Sequence, residues 1–364
     1  MRNEILYTDA AAAYPFWNKI ESITPYGGGH INDTFLVKCL DGEEYVLQRI
    51  NSYVFEHPDE IMENIIGVTG FIADKLKKSG RDAARGTLTV VQTKDGMDYF
   101  VDNLGEFWRV TVNIQNTTAF DFAESTEMLK KSGAAFGEFQ SMLADYPAET
   151  LHETIPHFHD TPDRYRQLEQ AIKDNKSGRL CNVAEEIEFV KARKADCAAL
   201  MDLLQEGELP LKVTHNDTKM SNVLIDNTTG EAVCVIDLDT VMPGLTAFDF
   251  GDSIRAGATT AAEDEADLSK VHFSMELFKA YTEGFLGAAG KALTETEIRT
   301  LPVGAKLMTL EVGMRFLADY INGDVYFKTQ YPEHNLVRAR NQFHLVKDME
   351  SQWDEMMAVV EAYL

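Results

Sequence analysis

The sequence predicts an α+β protein with two lobes, a small strand-rich lobe over residues 1–112 and a larger, mostly helical lobe over residues 113–364. Two observations predict this division. Short β-prone runs separated by turns fill most of the first lobe, whereas apolar residues recur with helical spacing through most of the second. The sheet of the first lobe is expected to be antiparallel, because a short turn joins its first two strands. A chain of 364 residues can bury a substantial core in such an arrangement.

The first lobe is predicted to contain five strands and one main helix. The first two strands, at 35–39 and 44–50, flank the turn Leu40-Asp41-Gly42-Glu43 and form a hairpin. A helix is expected from about Pro58 to Ser79, because five apolar side chains recur on one face: Ile61, Ile65, Val68, Ile72 and Leu76. Three further strands are predicted at 88–91, 97–101 and 107–112.

The second lobe is predicted to be helical, with one β unit inside it. Helical periodicity runs through six segments: 124–143, 163–174, 184–206, 265–285, 295–320 and 334–364. The β unit consists of two apolar runs, Val223–Asp226 and Ala232–Ile236, which are split by Asn227-Thr228-Thr229-Gly230. This pattern predicts a hairpin in which Asp226 lies opposite Glu231.

Composition and charge exclude several classes of partner. The formal net charge is −25 and the pI is about 4.7, whereas nucleic acids and anionic membranes are bound by basic surfaces. The four cysteines are widely spaced and form no metal-binding pair, which favours a reducing, cytoplasmic location. Residues 1–17 carry no basic region followed by an apolar core, and no apolar stretch approaches the ~20 residues that span a bilayer. We therefore expect neither a nucleic-acid nor a membrane partner.

The string from His215 to Asn222 carries the chemistry that the sequence predicts. Asp217 is followed five residues later by Asn222, and Asp237 stands just beyond the hairpin. A catalytic-loop Asp, an Asn five residues on and a further Asp after a strand pair form the phosphoryl-transfer arrangement of protein kinases. Asp217 is therefore expected to accept the proton of a substrate hydroxyl. Asn222 and Asp237 start about 8 Å apart on the predicted hairpin, and we expect them to bind Mg2+ that accompanies ATP.

A second acidic motif lies downstream of this string. Asp249-Phe250-Gly251 has the residues of the kinase magnesium triplet, but Asp249 is 27 residues beyond Asn222, whereas Asp237 is only 15 beyond it. A short hairpin cannot bring Asp249 to the metal, so we expect it to accept backbone hydrogen bonds from the catalytic loop at the start of a helix. Asp239 and Asp252 are either supports of the metal site or solvated surface groups.

A glycine-rich segment, Tyr26–Thr34, precedes the first predicted hairpin. Gly28 and Gly29 leave the backbone N–H groups accessible to phosphate oxygens. Asn32 and Thr34 are candidate donors to phosphate, and His30 either donates as well or fills the fold.

A kinase lobe also needs a cation on the strand after this loop, paired with a carboxylate of the following helix. Alignment of Val46-Leu47-Gln48-Arg49 with the Val-Ala-Ile-Lys pattern places Arg49 at that position. Glu63 or Glu60 is the expected partner of Arg49. Two alternatives stay open: Gln48 takes the position instead, or Arg49 is an exposed residue at a strand end.

With these motifs the chain resembles the aminoglycoside phosphotransferase and choline kinase superfamily, whose members have a protein-kinase-like fold of two lobes. Within it, the chain is similar to the N-acetylhexosamine 1-kinases. The similar stretches are Gly28–Phe35, Leu47–Asn51, His215–Lys219, Arg315–Tyr320 and Gly323–Phe327.

The resemblance implies an enzyme that moves the γ-phosphoryl of ATP onto the anomeric hydroxyl of GlcNAc or GalNAc. It implies that Asp217 is the base, that Asn222 and Asp237 bind the metal, and that the backbone from Val112 to Ile114 holds adenine. Sugar contacts are expected from a late helix and the loop after it. The candidates are Arg315, Asp319, Asp324 and Tyr326, each of which also suits a structural ion pair or an exposed position.

Two other functions remain open from the sequence. One is a kinase of another small alcohol, such as choline, homoserine or an aminoglycoside, and the negative charge of the chain is compatible with a cationic substrate. The other is a nucleotide-binding module without catalysis, which the absence of a strand lysine favours.

Overall fold

The computed structural model describes residues 2–27 and 31–364, with the backbone alone for residues 2–6. Gly28, Gly29 and His30, which the sequence assigns to phosphate binding, lie outside the described residues. The chain divides into two compact units. Unit 1 comprises Met1–Thr118, Thr150–Ile155 and Leu224–Met242, and unit 2 comprises Ala119–Glu149, Pro156–Val223 and Pro243–Leu364. The predicted boundary after residue 112 is near the end of the first segment of unit 1, but two later segments also belong to that unit.

Strands and helices are numbered in chain order. The strands are β1 (Ile20–Pro25), β2 (Asp33–Cys39), β3 (Glu44–Ile50), β4 (Phe100–Val101), β5 (Phe107–Val112), β6 (Thr117–Thr118), β7 (Lys212–Thr214), β8 (Val223–Asp226), β9 (Ala232–Val235) and β10 (Met242–Gly244). The α-helices are α1 (Arg2–Ala12), α2 (Pro58–Lys78), α3 (Ala83–Gly86), α4 (Thr126–Met142), α5 (Thr161–Asp174), α6 (Ala184–Lys191), α7 (Ala199–Gln205), α8 (Thr246–Gly257), α9 (Met275–Ala289), α10 (Glu295–Asn322), α11 (His334–Ser351) and α12 (Trp353–Glu361).

The main sheet of unit 1 is five-stranded, with the order β1-β2-β3-β5-β4 and antiparallel pairing throughout. The predicted hairpin is confirmed as β2 and β3. The prediction of a strand at 88–91 is wrong, because only Val90 forms a bridge, to Thr111. Residues 88–91 lie beside β5 on the same edge as β4. They form only a few backbone hydrogen bonds to β5, such as Val91 N–H to the Val110 carbonyl. Strand β1, which the sequence did not predict, completes the opposite edge.

The two faces of this sheet have different surroundings. One face carries Val37, Leu47, Trp108 and Val110, which pack with Ala10, Ala11 and Tyr14 at the end of α1 and just beyond it. Because side chains alternate along a strand, the neighbours Gln48 and Arg109 lie on the other face. Helix α2 has the predicted bounds to within one residue, and its five predicted apolar residues are all buried.

Unit 2 confirms the predicted helical character but divides two of the segments. The stretch 184–206 forms α6 and α7, and 334–364 forms α11 and α12, which meet at Gln352. The segment at 265–285 becomes helical only at Met275, where the Ser274 side chain accepts the Leu277 N–H and caps α9. Three short strands, β6, β7 and β10, were not predicted, since runs of two or three residues carry too little pattern.

Helix α10 is the centre of unit 2, and it crosses α8 at a pair of glycines. A Cβ on Gly251 of α8 would lie 2.4 Å from the Gly304 carbonyl oxygen, and one on Gly304 would lie 2.1 Å from that of Ala247. The two backbones can approach this closely only with glycine at these positions. The position of α8 is thereby fixed, and α8 carries the acidic residues that hold the catalytic loop. No helix among the described residues has both the length and the apolar character needed to cross a membrane.

Candidate functional site

The predicted catalytic string forms a loop in unit 2 between β7 and a 3-10 turn at Met220–Asn222. Asp217 Oδ2 accepts hydrogen bonds from Lys219 Nζ at 2.8 Å and from Asn222 Nδ2 at 3.2 Å. Asn222 Nδ2 also donates to the Asp217 carbonyl oxygen at 2.8 Å. The side chain of Asp217 is 33% exposed, whereas Asn222 is buried. The structure thus brings together the predicted base and one predicted metal ligand.

Asp249 holds the backbone of this loop, as the sequence predicted. Its carboxylate is fully buried in the first turn of α8 and accepts the backbone N–H groups of His215 at 2.9 Å and Asn216 at 2.7 Å. Gln140 Nε2 donates to the same carboxylate at 2.6 Å. Burial raises the pKa of Asp249, and the neighbouring His215 and these N–H donors oppose that rise.

Asp252, one helical turn further along α8, holds Thr218, the residue after Asp217. Its Oδ2 accepts the Thr218 N–H at 3.0 Å, and its Oδ1 accepts from Arg255 Nε at 2.9 Å. Burial would raise the pKa of Asp252, but the charges of Arg255 and His159 bring it below the usual range. Asp252 is therefore a buried support of the loop, and the alternative that it is a solvated surface group is wrong.

A histidine that the sequence did not single out lies beneath the catalytic loop. His159 is buried, with Nε2 3.2 Å from the Asn216 carbonyl oxygen and Nδ1 2.9 Å from Glu311 Oε1. Burial would raise the pKa of Glu311, but His159 outweighs it and lowers that pKa, so Glu311 is a carboxylate. Both partners are acceptors, so His159 links the backbone of the catalytic loop to the buried Glu311. No local pattern in the sequence marks this residue, since its partners are remote along the chain.

The predicted hairpin is confirmed in unit 1, where β8 pairs with β9 and with the short strand β6. Asp226 donates its N–H to the Glu231 carbonyl oxygen at 2.9 Å, which is the predicted register. Asp237 follows β9 with a φ of 63°, in the left-handed region, and begins a 3-10 turn. The oxygen donors of Asn222 and Asp237 suit Mg2+ by their chemistry, and their joint binding of one metal stays a prediction.

Asn32 and Thr34, the predicted phosphate donors on either side of the start of β2, are already bonded within unit 1. Asn32 Nδ2 donates to Asp239 Oδ2 at 2.6 Å, and its Oδ1 accepts the Asn51 N–H at 3.0 Å. Thr34 Oγ1 accepts a hydrogen bond from Gln48 Nε2 at 3.1 Å, and this bond does not use the hydroxyl proton of Thr34. Their role toward phosphate stays a prediction.

The expected pairing of Arg49 with Glu60 or Glu63 is wrong. Arg49 lies directly across from Asp33 in the register of β2 and β3, and it pairs with Asp33 and with Glu106. A carboxylate opposite on the neighbouring strand is closer than any on a following helix. Glu63 instead bonds to His152 Nε2 at 2.7 Å. The buried arginine of this sheet is Arg109, which the sequence did not single out.

The segment predicted to hold adenine leads out of β5. Val112 donates its N–H to the Thr89 carbonyl, and the Ile114 carbonyl accepts from Thr117 Oγ1 at 2.6 Å. Adenine binding by the backbone from Val112 to Ile114 therefore depends on the remaining backbone groups, and it stays a prediction.

The four predicted sugar contacts divide into two kinds. Arg315 lies among aromatic rings, with its guanidinium carbon 5.4 Å from the centroid of Phe158, 5.9 Å from Tyr326 and 5.6 Å from Phe327. Tyr326 is 59% exposed. These two residues lie side by side, and contact of either with a sugar stays a prediction.

Asp319 and Asp324 have structural partners instead. Asp319 is buried and accepts the backbone N–H groups of residues 325, 326 and 327 as well as Asn335 Nδ2. Asp324 pairs with Arg179 and accepts from Asn335 Nδ2 at 2.9 Å. Their oxygens accept hydrogen bonds within the loop that carries Tyr326, and direct contact of either residue with a sugar stays a prediction.

Comparison with known proteins places this geometry in context. A profile of the phosphotransferase enzyme family (APH) matches residues 22–281. Three similar solved structures cover nearly the whole chain. A microcompartment-associated aminopropanol kinase has a TM-score of 0.63 and 15% identity, over 97% of this chain and 98% of that one. An aminoglycoside phosphotransferase from Alicyclobacillus acidocaldarius has a TM-score of 0.61 and 14% identity, over 97% and 96% of the two chains.

The third is an amicoumacin kinase in complex with AMP-PNP, Ca2+ and Ami, with a TM-score of 0.59 and 15% identity, over 97% of this chain and 94% of that one. At these identities the likeness establishes the fold alone. The predicted α+β fold, with an antiparallel N-terminal sheet and a helical C-terminal part, is confirmed as kinase-like.

Proposed function

Because the chain belongs to the phosphotransferase enzyme family, we propose that it is an ATP- and Mg2+-dependent kinase of a sugar hydroxyl. The acceptor proposed is the anomeric hydroxyl of an N-acetylhexosamine, GlcNAc or GalNAc. The observation that carries the proposal is the pairing of Asp217 and Asn222 in a loop whose backbone is held by the buried Asp249.

Asp217 has the geometry of a general base. Lys219 and Asn222 both donate to Oδ2, whereas the hydrogen bonds of the described residues leave Oδ1 without a donor. A partly exposed carboxylate oxygen of this kind can receive a hydrogen bond from an acceptor hydroxyl and take its proton as the new P–O bond forms. In phosphoryl transfer such positioning supplies much of the catalysis, since the transition state needs little covalent help from the protein.

Asn222 and Asp237 would hold Mg2+. When bound, the metal neutralises negative charge on the transferred phosphoryl group. Lys219, which bonds to the base, adds a positive charge on the same loop, and the backbone of the Tyr26–Thr34 segment would receive the triphosphate. The neighbour that contains AMP-PNP and Ca2+ supports the use of a nucleotide and a divalent cation.

The choice of a neutral sugar over a cationic alcohol rests on charge. Burial and the nearby positive charge of Arg315 lower the pKa of the Arg164 guanidinium, so two arginines lie close together beside Phe158. The nearest acids of the loop, Asp319 and Asp324, are already paired. The buried Glu311 beside these arginines is already bonded to His159 and Thr161 and is not offered to a choline or aminoglycoside cation. The fork of Arg315 can donate to sugar oxygens. The resemblance to N-acetylhexosamine 1-kinases supplies the particular sugar.

The first test is an acceptor panel. GlcNAc, GalNAc, choline, ethanolamine, homoserine and an aminoglycoside are each incubated with ATP and Mg2+, and ATP consumption is followed. Phosphorus NMR of the GlcNAc product should show a phosphate coupled to the anomeric proton. Turnover of choline with GlcNAc ignored would overturn the sugar assignment, and a product coupled to another sugar proton would overturn the anomeric one.

The second test is Asp217→Asn. We expect turnover to fall by about 10²–10⁴-fold, the usual contribution of a positioned base, while AMP-PNP binding stays within about twofold because the side chain keeps its shape. Exposed Asp202→Asn serves as the matched control. Wild-type turnover in the Asp217 variant would exclude it as the essential base.

A further inference from the structure

Strand β3 of unit 1 has no lysine at the position that kinases use, but the same sheet holds a buried arginine on a different strand. Arg109 lies on β5 directly across from Gln48 of β3, and it is only 4% exposed. Its Nε donates to Gln48 Oε1 at 3.0 Å, and Gln48 in turn donates to Thr34. These three polar groups share one face of the sheet, because strand residues alternate. Arg49, the sequence-based candidate, is on the opposite face.

Arg109 pairs with the acid that follows the predicted metal ligand. Its Nη1 lies 2.5 Å from Asp239 Oδ1, and both side chains are 4% exposed. Neither of these two atoms has a hydrogen bond of good geometry to any described group. The contact is therefore held by charge, and in a buried setting the loss of either charge leaves the other uncompensated.

Asp239 belongs to a segment that is fixed from several sides within unit 1. Its Oδ2 accepts from Asn32 Nδ2, and its carbonyl oxygen accepts from Thr154 Oγ1 at 3.2 Å. Asn64 of α2 donates to the Val241 carbonyl oxygen at 2.9 Å and thereby holds the end of the same segment. Asp237, in its left-handed conformation, stands two residues before Asp239. Asp237 therefore belongs to the same turn that Arg109 contacts through Asp239.

We propose that Arg109 is a positioning residue for the turn that contains Asp237 and Asp239. It acts by holding Asp239, so that Asp237 is oriented for Mg2+ and the Asn32 end of the glycine-rich segment is tied to the same turn. This inference rests on the proposed function, since it assigns Asp237 to the metal. The alternative, direct binding of phosphate by Arg109, would strip the buried Asp239 of its counter-charge.

The experiment separates metal-linked binding from nucleotide binding itself. AMP-PNP binding is measured by calorimetry with and without Mg2+ for wild type, for the single variants Arg109→Met, Arg109→Lys, Asp239→Asn and Arg49→Met, and for the double variant Arg109→Met/Asp239→Asn. Arg85→Met is the matched control, because Arg85 of α3 also pairs with a carboxylate of unit 1, Asp226 at the end of β8, at 2.6 Å, but is 36% exposed. No acceptor is needed, so the sugar assignment does not enter.

We expect Arg109→Met and Asp239→Asn each to weaken Mg2+ affinity by about 10–100-fold, as for other groups that orient a metal ligand. Binding of AMP-PNP without metal should stay within about twofold. The double variant should show the same loss as either single variant, because both break one link. Arg85→Met should resemble wild type, and Arg109→Lys should recover part of the affinity.

The double variant also guards against failure to fold, since it removes both buried charges together. Loss of thermal stability with unchanged Mg2+ affinity would overturn the inference in favour of a purely structural pair. Weaker AMP-PNP binding without metal in Arg109→Met alone would assign the arginine to phosphate instead. An effect of Arg49→Met in place of Arg109→Met would restore the sequence-based assignment. Absence of Mg2+-linked AMP-PNP binding in wild type would overturn the proposed function itself, together with this inference.

Discussion

Asp249→Asn tests whether the catalytic loop depends on one buried carboxylate. The substitution keeps the size of the side chain but replaces one acceptor oxygen with an NH2 donor. In the structure Oδ1 accepts one N–H, from Asn216, and Oδ2 accepts two donors, from His215 and Gln140. The amide therefore has to turn its NH2 toward at least one donor. The best arrangement sacrifices the bond to Asn216 and keeps the other two.

The expected cost follows from that count. One hydrogen bond to a charged group, worth about 1.5–3 kcal/mol, is lost, and one buried N–H is left without a partner at about 1–3 kcal/mol. Partial relaxation of the loop offsets some of this, so we expect a loss of about 2–4 kcal/mol in the free energy of unfolding. Asn216 directly precedes Asp217, and a displacement of about 1 Å at a reacting group can reduce turnover about 10²-fold. We therefore expect that reduction in kcat as well.

Urea unfolding and steady-state kinetics at saturating ATP measure the two effects. Asp202→Asn is the matched control, since Asp202 is exposed on α7 in the same unit, and it should change stability by less than about 0.5 kcal/mol. The reasoning is refuted if the free energy of unfolding of Asp249→Asn is within about 0.5 kcal/mol of the wild-type value, as for the control, and its kcat is unchanged. Loss of stability with unchanged kcat would show that the carboxylate holds the fold but not the position of the base.

Two further predictions concern Arg315 and the buried Glu311. Arg315→Lys should raise the KM for the sugar by about tenfold with a smaller change in kcat, because lysine keeps the charge but loses the planar fork; equal kinetics in the two proteins would exclude a sugar contact. Glu311→Gln should flatten the fall of stability in acid, measured by urea unfolding at pH 7 and pH 4. The positive charges around Glu311 hold its pKa below the ordinary 4.5, so its contribution is complete above that value and is lost as the pH falls through the folded pKa. A variant with the same acid sensitivity as wild type would contradict this assignment.

Features that depend on neighbours in sequence could be predicted. The hairpin at 223–235, its register at Asp226 and helix α2 all follow from local periodicity and turn residues. The role of Asp249 followed from a distance along the chain, because a short hairpin cannot reach that far. In each case the sequence itself contained the geometric constraint.

Features that depend on the face of a strand or on remote partners could not be predicted in the same way. The alignment that singled out Arg49 gives a position along β3 but not the face of the sheet on which the side chain lies. In the structure Arg49 pairs with Asp33, which is directly across from it on β2. The sequence did contain a pattern that assigns Arg109 to a face of the sheet, because Arg109 and Thr111 alternate with the apolar Trp108 and Val110 in β5. Nothing local, however, identifies Asp239 as its partner, because the two residues meet only in the folded chain.

The buried and exposed acids of the described site differ in what occupies their oxygens. Asp249 and Asp319 are buried, and fixed donors occupy both oxygens of each. An acid of this kind already accepts several hydrogen bonds, and protonation would weaken them at a cost in free energy. Asp217 is the contrasting case, since it is partly exposed and its two described donors meet a single oxygen. The count of fixed donors on each oxygen is what separates a chemical role from a supporting one.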